Sequence, residues 1–381
     1  MKVIVIGAGS IGAHTAYRLA EQGAEVELLE ASAVASGTTG SSIAWLSQFP
    51  QMAWDEEPGK RALRPQVHDL FMEVEQEVPG DYVTWSGTLS WGLPHERKEL
   101  TELAGTARSR GVRVDVIDAA AARDLDPSIR FDDDEVVFWE PGSGWVDGPG
   151  IVRALIEALT ARGGRLRTAA RVTKILVQGG RVTGVRLADG EVIGADAVVN
   201  ASGSWGSHVA AMADLAIPMN LVPGRVIYTE PYAGGPTRVL TGPTWGGRPD
   251  PDGGLAIHWR GETSIKDHGA NIRSAEEVLA AVAEVVPALA GCKVRRSSVG
   301  IRPIPPDGPI VGALPWLPNF YFTLSHGGIG WGPMWGWAAA RELLHGQVVP
   351  ELAAMRPERF YLAPTTMGRY ADDADHRPIT S

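Results

Sequence analysis

Three glycines within six residues, set between a β-branched run and a helical pattern, leave this chain few ways to begin. Lys2-Val3-Ile4-Val5-Ile6 reads as a short buried strand, and Gly7-Ala8-Gly9-Ser10-Ile11-Gly12 follows at once. Ile11, Thr15 and Leu19 then recur at helical spacing up to a stop near Gly23, and Glu25-Val26-Glu27-Leu28-Leu29-Glu30 reads as a second strand closed by an acid. Strand, three glycines, helix, strand and terminal acid form the βαβ dinucleotide-binding fingerprint in the context it requires. Gly7 is expected to make the tight turn, Gly9 to let a pyrophosphate approach the backbone, and Gly12 to let helix and strand pack closely. The N–H groups at the helix start, around Ser10 and Ile11, then face the anion. Glu30, with Ala31 beside it, is placed to hold a ribose 2′-hydroxyl, which argues against a 2′-phosphate there. The motif alone leaves NAD and FAD both open.

The 381 residues are enough for two domains, or for one large domain with an insertion. A net charge of −10 argues against nucleic acid as a partner for the surface as a whole. Cys292 is the one cysteine, so an intramolecular disulfide and a cysteine metal cluster are both ruled out, and no metal site is expected. The chain runs straight into its first strand and carries no apolar run of bilayer-spanning length, so a cytoplasmic protein is expected. Thirteen Trp against seven Tyr and seven Phe suggest indoles that line a cavity as well as fill a core.

After Glu30, the small hydroxyl-rich loop Thr38-Thr39-Gly40-Ser41-Ser42 can donate hydrogen bonds to a second phosphate or a cofactor ring. Residues 50–59 read as an exposed connection, and Leu63 to Val78 as a helix. Strands are expected around Tyr82 to Trp91 and Asp134 to Trp139, with a helix from Glu96 to Arg110 between them and another from Val146-Asp147-Gly148-Pro149 to Gly163. Turns at Gly179-Gly180 and Asp189-Gly190 predict a β-meander over Arg165 to Ile193. Ala195 to Gly203 reads as a further parallel strand ending at the cofactor. Leu215 to Val299 reads as a separate antiparallel region with one helix at Ala275 to Val286. A Pro-rich strand around Arg302, a strand Phe320 to Leu324, the turn His326-Gly327-Gly328-Ile329-Gly330 and a helix to about Leu344 complete the pattern, and a polar tail follows from Pro364.

An N-terminal dinucleotide motif, a mid-chain strand ending Asn200-Ala201-Ser202-Gly203, and a Pro-rich arginine strand before a glycine-rich helix start resemble the D-amino-acid oxidase superfamily, with glycine oxidase and sarcosine oxidase among its members. The resemblance runs the length of the chain and is strongest over residues 1–46, 194–206 and 299–345. It implies an α/β plus α+β protein: a Rossmann-like FAD-binding domain from residues 1–50, 142–212 and 300–346, an antiparallel-sheet substrate domain from 51–141 and 213–299, and a C-terminal segment 347–381.

By the same resemblance Gly7, Gly9, Gly12 and Glu30 match the ADP-binding positions and Thr38 to Ser42 the loop that touches the flavin. Val172 matches the adenine contact, and Ala201, Ser202, Gly203 and Trp205 fall on the mid-chain turn. Gly327 to Gly330 match the helix start beneath the pyrimidine end of the flavin, where a helix N-terminus favours the negative charge of a reduced ring. Arg302 resembles the arginine that grips a substrate carboxylate, for which its planar fork is suited. Tyr228, His258 and His326 are further catalytic candidates, and Trp45, Trp245, Trp259, Trp331 and Trp335 are expected to line a pocket for a bulky substrate or a methylated amine.

The implied reaction is oxidation of the C–N bond of an amino acid or of a secondary or N-methyl amine, with O2 or another acceptor taking the electrons. Gly300 stands where some sarcosine-oxidase relatives tether the flavin to a cysteine, so non-covalent FAD is expected. Ala256 stands where those relatives carry a lysine that speeds reaction with oxygen. The alternatives are a dehydrogenase subunit that passes electrons to a partner, or an FAD enzyme of another class such as a hydroxylase, although the Gly-Asp-Ala segment usual in hydroxylases is missing.

Overall fold

The computed structural model describes residues 1–49, 58–260 and 273–361. The continuous apolar run Lys2–Ile6 lies inside a six-stranded sheet ordered Ile310–Leu314, Leu317–Leu324, Ala197–Asn200, Lys2–Ile6, Glu25–Leu29 and Arg165–Arg167. All its pairings are parallel except the first, where the hairpin strand Ile310–Leu314 runs antiparallel to Leu317–Leu324. Parallel strands are covered on both faces, which is why they read as unbroken hydrophobic runs rather than alternating ones. One face carries the fingerprint helix Ser10–Glu21, crossed by the C-terminal helix Gly328–His345 and flanked by Gly148–Ala161. The other face carries a β-meander, an antiparallel sheet of Val172–Gln178, Arg181–Leu187 and Val192–Gly194; it starts seven residues later than expected, because Arg165–Arg167 pairs with Glu25–Leu29 in the parallel sheet.

The two central helices approach closely because the C-terminal helix offers glycine where they cross. A Cβ on Gly332 would sit 2.5 Å from His14 Cδ2, and one on Gly336 would sit 2.8 Å from the His14 carbonyl oxygen. His14 is buried there against Phe71, and neither ring nitrogen has a hydrogen-bond partner among the described residues. Burial, followed by the charge of Arg18, pulls its pKa down to about 3, so the ring is neutral.

The antiparallel region is an eight-stranded sheet ordered Val294–Ile304, Asn220–Thr229, Leu255–Trp259, Trp245–Pro249, Val239–Thr241, Thr88–Gly92, Val136–Glu140 and Asp115–Ile117. It is mixed at one seam, where Val239–Thr241 runs parallel to Thr88–Gly92. Helix Ala275–Val285 covers one face, capped by Ser274, whose hydroxyl and backbone exchange hydrogen bonds with Glu277. Three features went unforeseen: strand Asp115–Ile117, helix Ala119–Leu125 with its Asp118 cap, and the strands Trp45–Leu46 and Gly144–Val146, which form a small sheet with Val83–Thr84 of the expected Tyr82 to Trp91 region. All are short, and hydrophobic periodicity needs a longer window to register. The expected connection at 50–59 lies outside the described residues as far as 57, and the expected tail from Pro364 lies wholly outside them. Among the described residues no helix is long and apolar enough to cross a membrane.

Candidate active site

The carboxyl ends of the parallel strands and the underside of the eight-stranded sheet enclose a cavity of about 1420 Å³, above the usual ~300–1,000 Å³ of small-ligand sites. Its floor begins at the fingerprint. Gly7 has a φ of +104°, and a Cβ there would lie 2.7 Å from the Ala201 carbonyl oxygen. Any side chain at Gly7 would therefore push the first strand away from the mid-chain turn. A Cβ on Gly12 would lie 1.8 Å from the Gly7 carbonyl oxygen, so helix and strand meet only because position 12 is bare.

The Ser10 amide donates to Thr39 Oγ1 (3.0 Å), which anchors the hydroxyl loop on the helix start. The Ile11 and Gly12 amides, in the helix's first turn, have no acceptor within it and remain for an anion. The Glu30 carboxylate accepts from the Ala8 amide (2.9 Å) and the Ser32 amide (2.8 Å). These two bonds fix its orientation and leave lone pairs for a pair of ribose hydroxyls.

Most of the residues expected from sequence come together here. Gly7, Gly9, Ser10 and Ile11 line the cavity, as do Glu30 and Ala31, then Thr38, Thr39, Ser41, Ser42 and Trp45. Val172 enters from the meander, and Ala201, Ser202, Gly203 and Trp205 from the mid-chain turn. His258 and Arg302 enter from the sheet above, Trp259, the register partner of Trp245, borders the cavity while packing on the core of the opposite face, and His326 with Gly327 to Gly330 enters from the C-terminal helix start. That helix opens on Gly327 in a left-handed conformation (φ 72°), which directs its first amides toward the cavity.

At the roof, Arg302 is half-buried and donates from Nη2 to the Pro223 carbonyl (3.0 Å) and from Nε to the Val222 carbonyl (3.4 Å). A Cβ on Gly224 would lie 3.1 Å from Arg302 Nε, so the guanidinium rests on bare backbone. Among the described residues two of its five N–H donors are used, and Arg302 lines the cavity. Burial lowers the Arg302 pKa without discharging it.

His258 and His326 flank it, and both are pulled down to about 4. Burial is the larger cause in each, followed by Arg260 and Arg302 for His258, and by Arg302 and Lys60 for His326. Both rings are therefore neutral hydrogen-bonding groups at pH 7. His258 lies over Gly246, where a Cβ would come within 2.5 Å of Nε2.

Three of the expected pocket tryptophans and one catalytic candidate, Tyr228, are elsewhere. Trp245 adjoins Gly246, the register partner of His258, so strand alternation turns it to the opposite face. There it packs edge-on to Trp91 in the core beneath helix Ala275–Val285. Tyr228 is buried beneath Arg296, its register partner, whose guanidinium stacks 3.4 Å from the ring centroid. Trp331 and Trp335, one helical turn apart, stack on each other at 5.0 Å and face the fingerprint-helix core. Gly12 and Gly40 sit just behind the wall: each would clash with backbone if it carried a Cβ.

Sequence reading missed Ser204, whose hydroxyl donates to the Ile301 carbonyl; Thr38 Oγ1 donates to the same oxygen (2.5 Å). Together they tie the hydroxyl loop and the mid-chain turn to the residue preceding Arg302. A hydroxyl adjoining the Ser202-Gly203 turn was the available signal.

These donors suit FAD. The cavity runs from glycine-lined backbone and a ribose-directed carboxylate at one end to a helix N-terminus and an arginine roof at the other. The model of the FAD dependent oxidoreductase family matches residues 2–343. Glycine oxidase of Pseudomonas putida is 27% identical over 338 residues, covering 85% of this chain and 89% of that protein. Human mitochondrial sarcosine dehydrogenase is 26% identical over 409 residues, which take in 98% of this chain and 43% of that longer protein. The structure of glycine oxidase from Geobacillus kaustophilus shares the fold, with a TM-score of 0.81 at 21% identity over 93% of this chain and 97% of that one. With the motif, the sheet order and the family match in agreement, this chain belongs to the FAD-dependent oxidoreductase family and takes FAD as its cofactor.

Proposed function

We propose that the chain oxidises the C–N bond of a small amine that carries a carboxylate, an amino acid or a secondary or N-methyl amino acid. The observation that carries this reading is Arg302, a charged fork held by two carbonyls in the roof of the cavity. The names of the relatives, glycine oxidase and sarcosine dehydrogenase, point to the same substrate class.

FAD, when bound, supplies the two-electron acceptor. The chain's own part is to bind and orient. Arg302 holds the carboxylate bidentately, so the adjacent C–H is presented toward the cavity floor. His258 and His326 bind the substrate nitrogen as neutral acceptors, which avoids adding positive charge beside Arg302. Loss of a hydride from carbon and a proton from nitrogen leaves an imine, which water hydrolyses to a carbonyl compound and an amine. In this reading residues 1–50, 142–212 and 300–346 form the flavin domain and 51–141 and 213–299 the substrate domain, with Arg302, on the edge strand Val294–Ile304 of the eight-stranded sheet, and His326 reaching the substrate from the last flavin segment.

An acceptor other than O2 is favoured by Ala256. It is buried with Val226 and Tyr228 under Ile43 and presents no ammonium to the cavity.

The test is anaerobic absorption spectroscopy of the holoprotein with secondary amines, N-methyl amino acids and D-amino acids, followed by air. Bleaching by one class identifies the substrate, and slow recovery in air supports the alternative acceptor. Arg302→Lys should raise KM about 10- to 100-fold, the worth of a charged hydrogen-bond pair. An unchanged KM would remove the carboxylate from the proposal.

A further inference from the structure

Behind the wall that carries Trp45 lies a buried carboxylate that the chemistry above does not use. Glu140 closes strand Val136–Glu140 and is 3% exposed. Its Oε1 accepts from the Gln48 amide (2.6 Å) and the Phe49 amide (3.2 Å), and its Oε2 accepts from the Ser47 hydroxyl (2.7 Å). Its own carbonyl accepts from the Ser143 hydroxyl (2.8 Å), which also bonds the Thr88 hydroxyl (2.7 Å). Thr88 in turn accepts the Trp45 indole N–H (2.9 Å). Trp45 is thus held from two directions by one residue: through the Thr88–Ser143 relay at its ring, and through the Ser47–Phe49 turn along its backbone.

We propose that Glu140 is a positioning residue for the cavity, whose ionised carboxylate holds the Trp45 wall and whose protonation loosens it. This deepens the substrate-site reading and rests on it only for what occupies the cavity.

The hydrogen bonds give the reason. As an anion, Glu140 offers acceptors to all three donors. Once Oε2 is protonated it must donate to Ser47 Oγ, and the Ser47 proton then needs another acceptor. Ser47 Oγ already accepts from the Phe49 amide (2.9 Å), so the turn loses its charge-assisted bonds together. Among the described residues the charged group that acts on Glu140 is Arg64, on helix Pro58–Glu77, which donates to the Ser47 carbonyl (3.2 Å). Thr88 and Ser143, on the neighbouring strand and turn, bring hydroxyls only. Burial outweighs these stabilising contacts and raises the Glu140 pKa to about 7, which places the change in a testable range. His258 and His326, at about 4, do not titrate there.

The experiment uses holoprotein labelled with 5-fluorotryptophan, with the Trp45 signal assigned through Trp45→Phe, and follows 19F NMR from pH 5.5 to 8.5. The Trp45 resonance should titrate once near pH 7 in the wild type and lose that titration in Glu140→Gln. Ser47→Ala keeps the carboxylate but removes one donor, and should move the midpoint up by about half to one pH unit. Acetate, the carboxylate probe, should perturb the flavin spectrum more tightly at pH 8 than at pH 6, and Glu140→Gln should lose that difference. A flat Trp45 signal, a titration that persists in Glu140→Gln, an unmoved midpoint in Ser47→Ala, or equal acetate affinity at the two pH values would each overturn the proposal. If acetate affinity ignores Arg302→Lys, the substrate reading falls, and the fluorine titration still decides the role of Glu140.

Discussion

Replacing His14 by leucine tests whether the crossing of the fingerprint helix and the C-terminal helix holds an uncharged imidazole. In the unfolded chain this ring titrates at its ordinary 6.5, and in the folded protein burial holds it at about 3. Between those values the unfolded chain binds the extra proton, so the folded state loses stability as pH falls from 6.5, and the loss is complete below about 3. The linkage relation for these two values gives a loss of about 2 kcal/mol at pH 5 and about 3 kcal/mol at pH 4, relative to pH 8.

His14→Leu removes this term. It also removes two buried nitrogens that have no partner among the described residues, so at pH 8 the variant should be at least as stable as the wild type. The assay is thermal unfolding in saturating FAD at pH 8 and pH 5. Other groups titrate equally in both proteins and cancel, so the drop in Tm should be about 2.5 °C smaller in the variant, at about 1.2 °C per kcal/mol for a chain of 381 residues. An equal drop in both proteins would mean that His14 is solvated or charged, and the account of the crossing would fail.

Two further substitutions separate the two faces of the roof. Gly246→Ala places a methyl within 2.5 Å of the His258 ring and should weaken acetate binding while FAD content, read from the flavin absorbance of the purified protein, stays unchanged. Trp245→Ala should instead cost about 3–5 kcal/mol of stability, as large-to-small changes in a core do, and leave acetate affinity as it was. A raised acetate Kd in Trp245→Ala, with Tm unchanged, would return that indole to the cavity.

The parts of the site that could be read from sequence are those in which neighbours along the chain make the feature. Gly7, Gly12 and Glu30 belong to a unit of about thirty residues, and the hydrophobic runs around them disclose both strands and the helix between. The arginine strand and the helix start at Gly327 were visible for the same reason. Trp245 shows where this fails: its residue type suited a pocket, but one position of strand alternation decides whether it meets His258 or Trp91. Trp331 and Trp335 were misplaced likewise, since Gly332 and Gly336 turn that helix toward His14.

Glu140 could not have been found from sequence, because the amides it holds lie 91 and 92 residues away. The same is true of the Ile301 carbonyl, which gathers hydroxyls from residues 263 and 97 positions distant.

A dinucleotide site at the N-terminus, with its glycines and its ribose-directed acid, follows from the sequence by itself, because steric limits on the backbone and hydrogen bonding at a helix start act over a few residues. The shape and charge of the substrate end were decided only by the tertiary structure. There the register of distant strands sets which side chains share a face, and burial among them sets which ones carry charge.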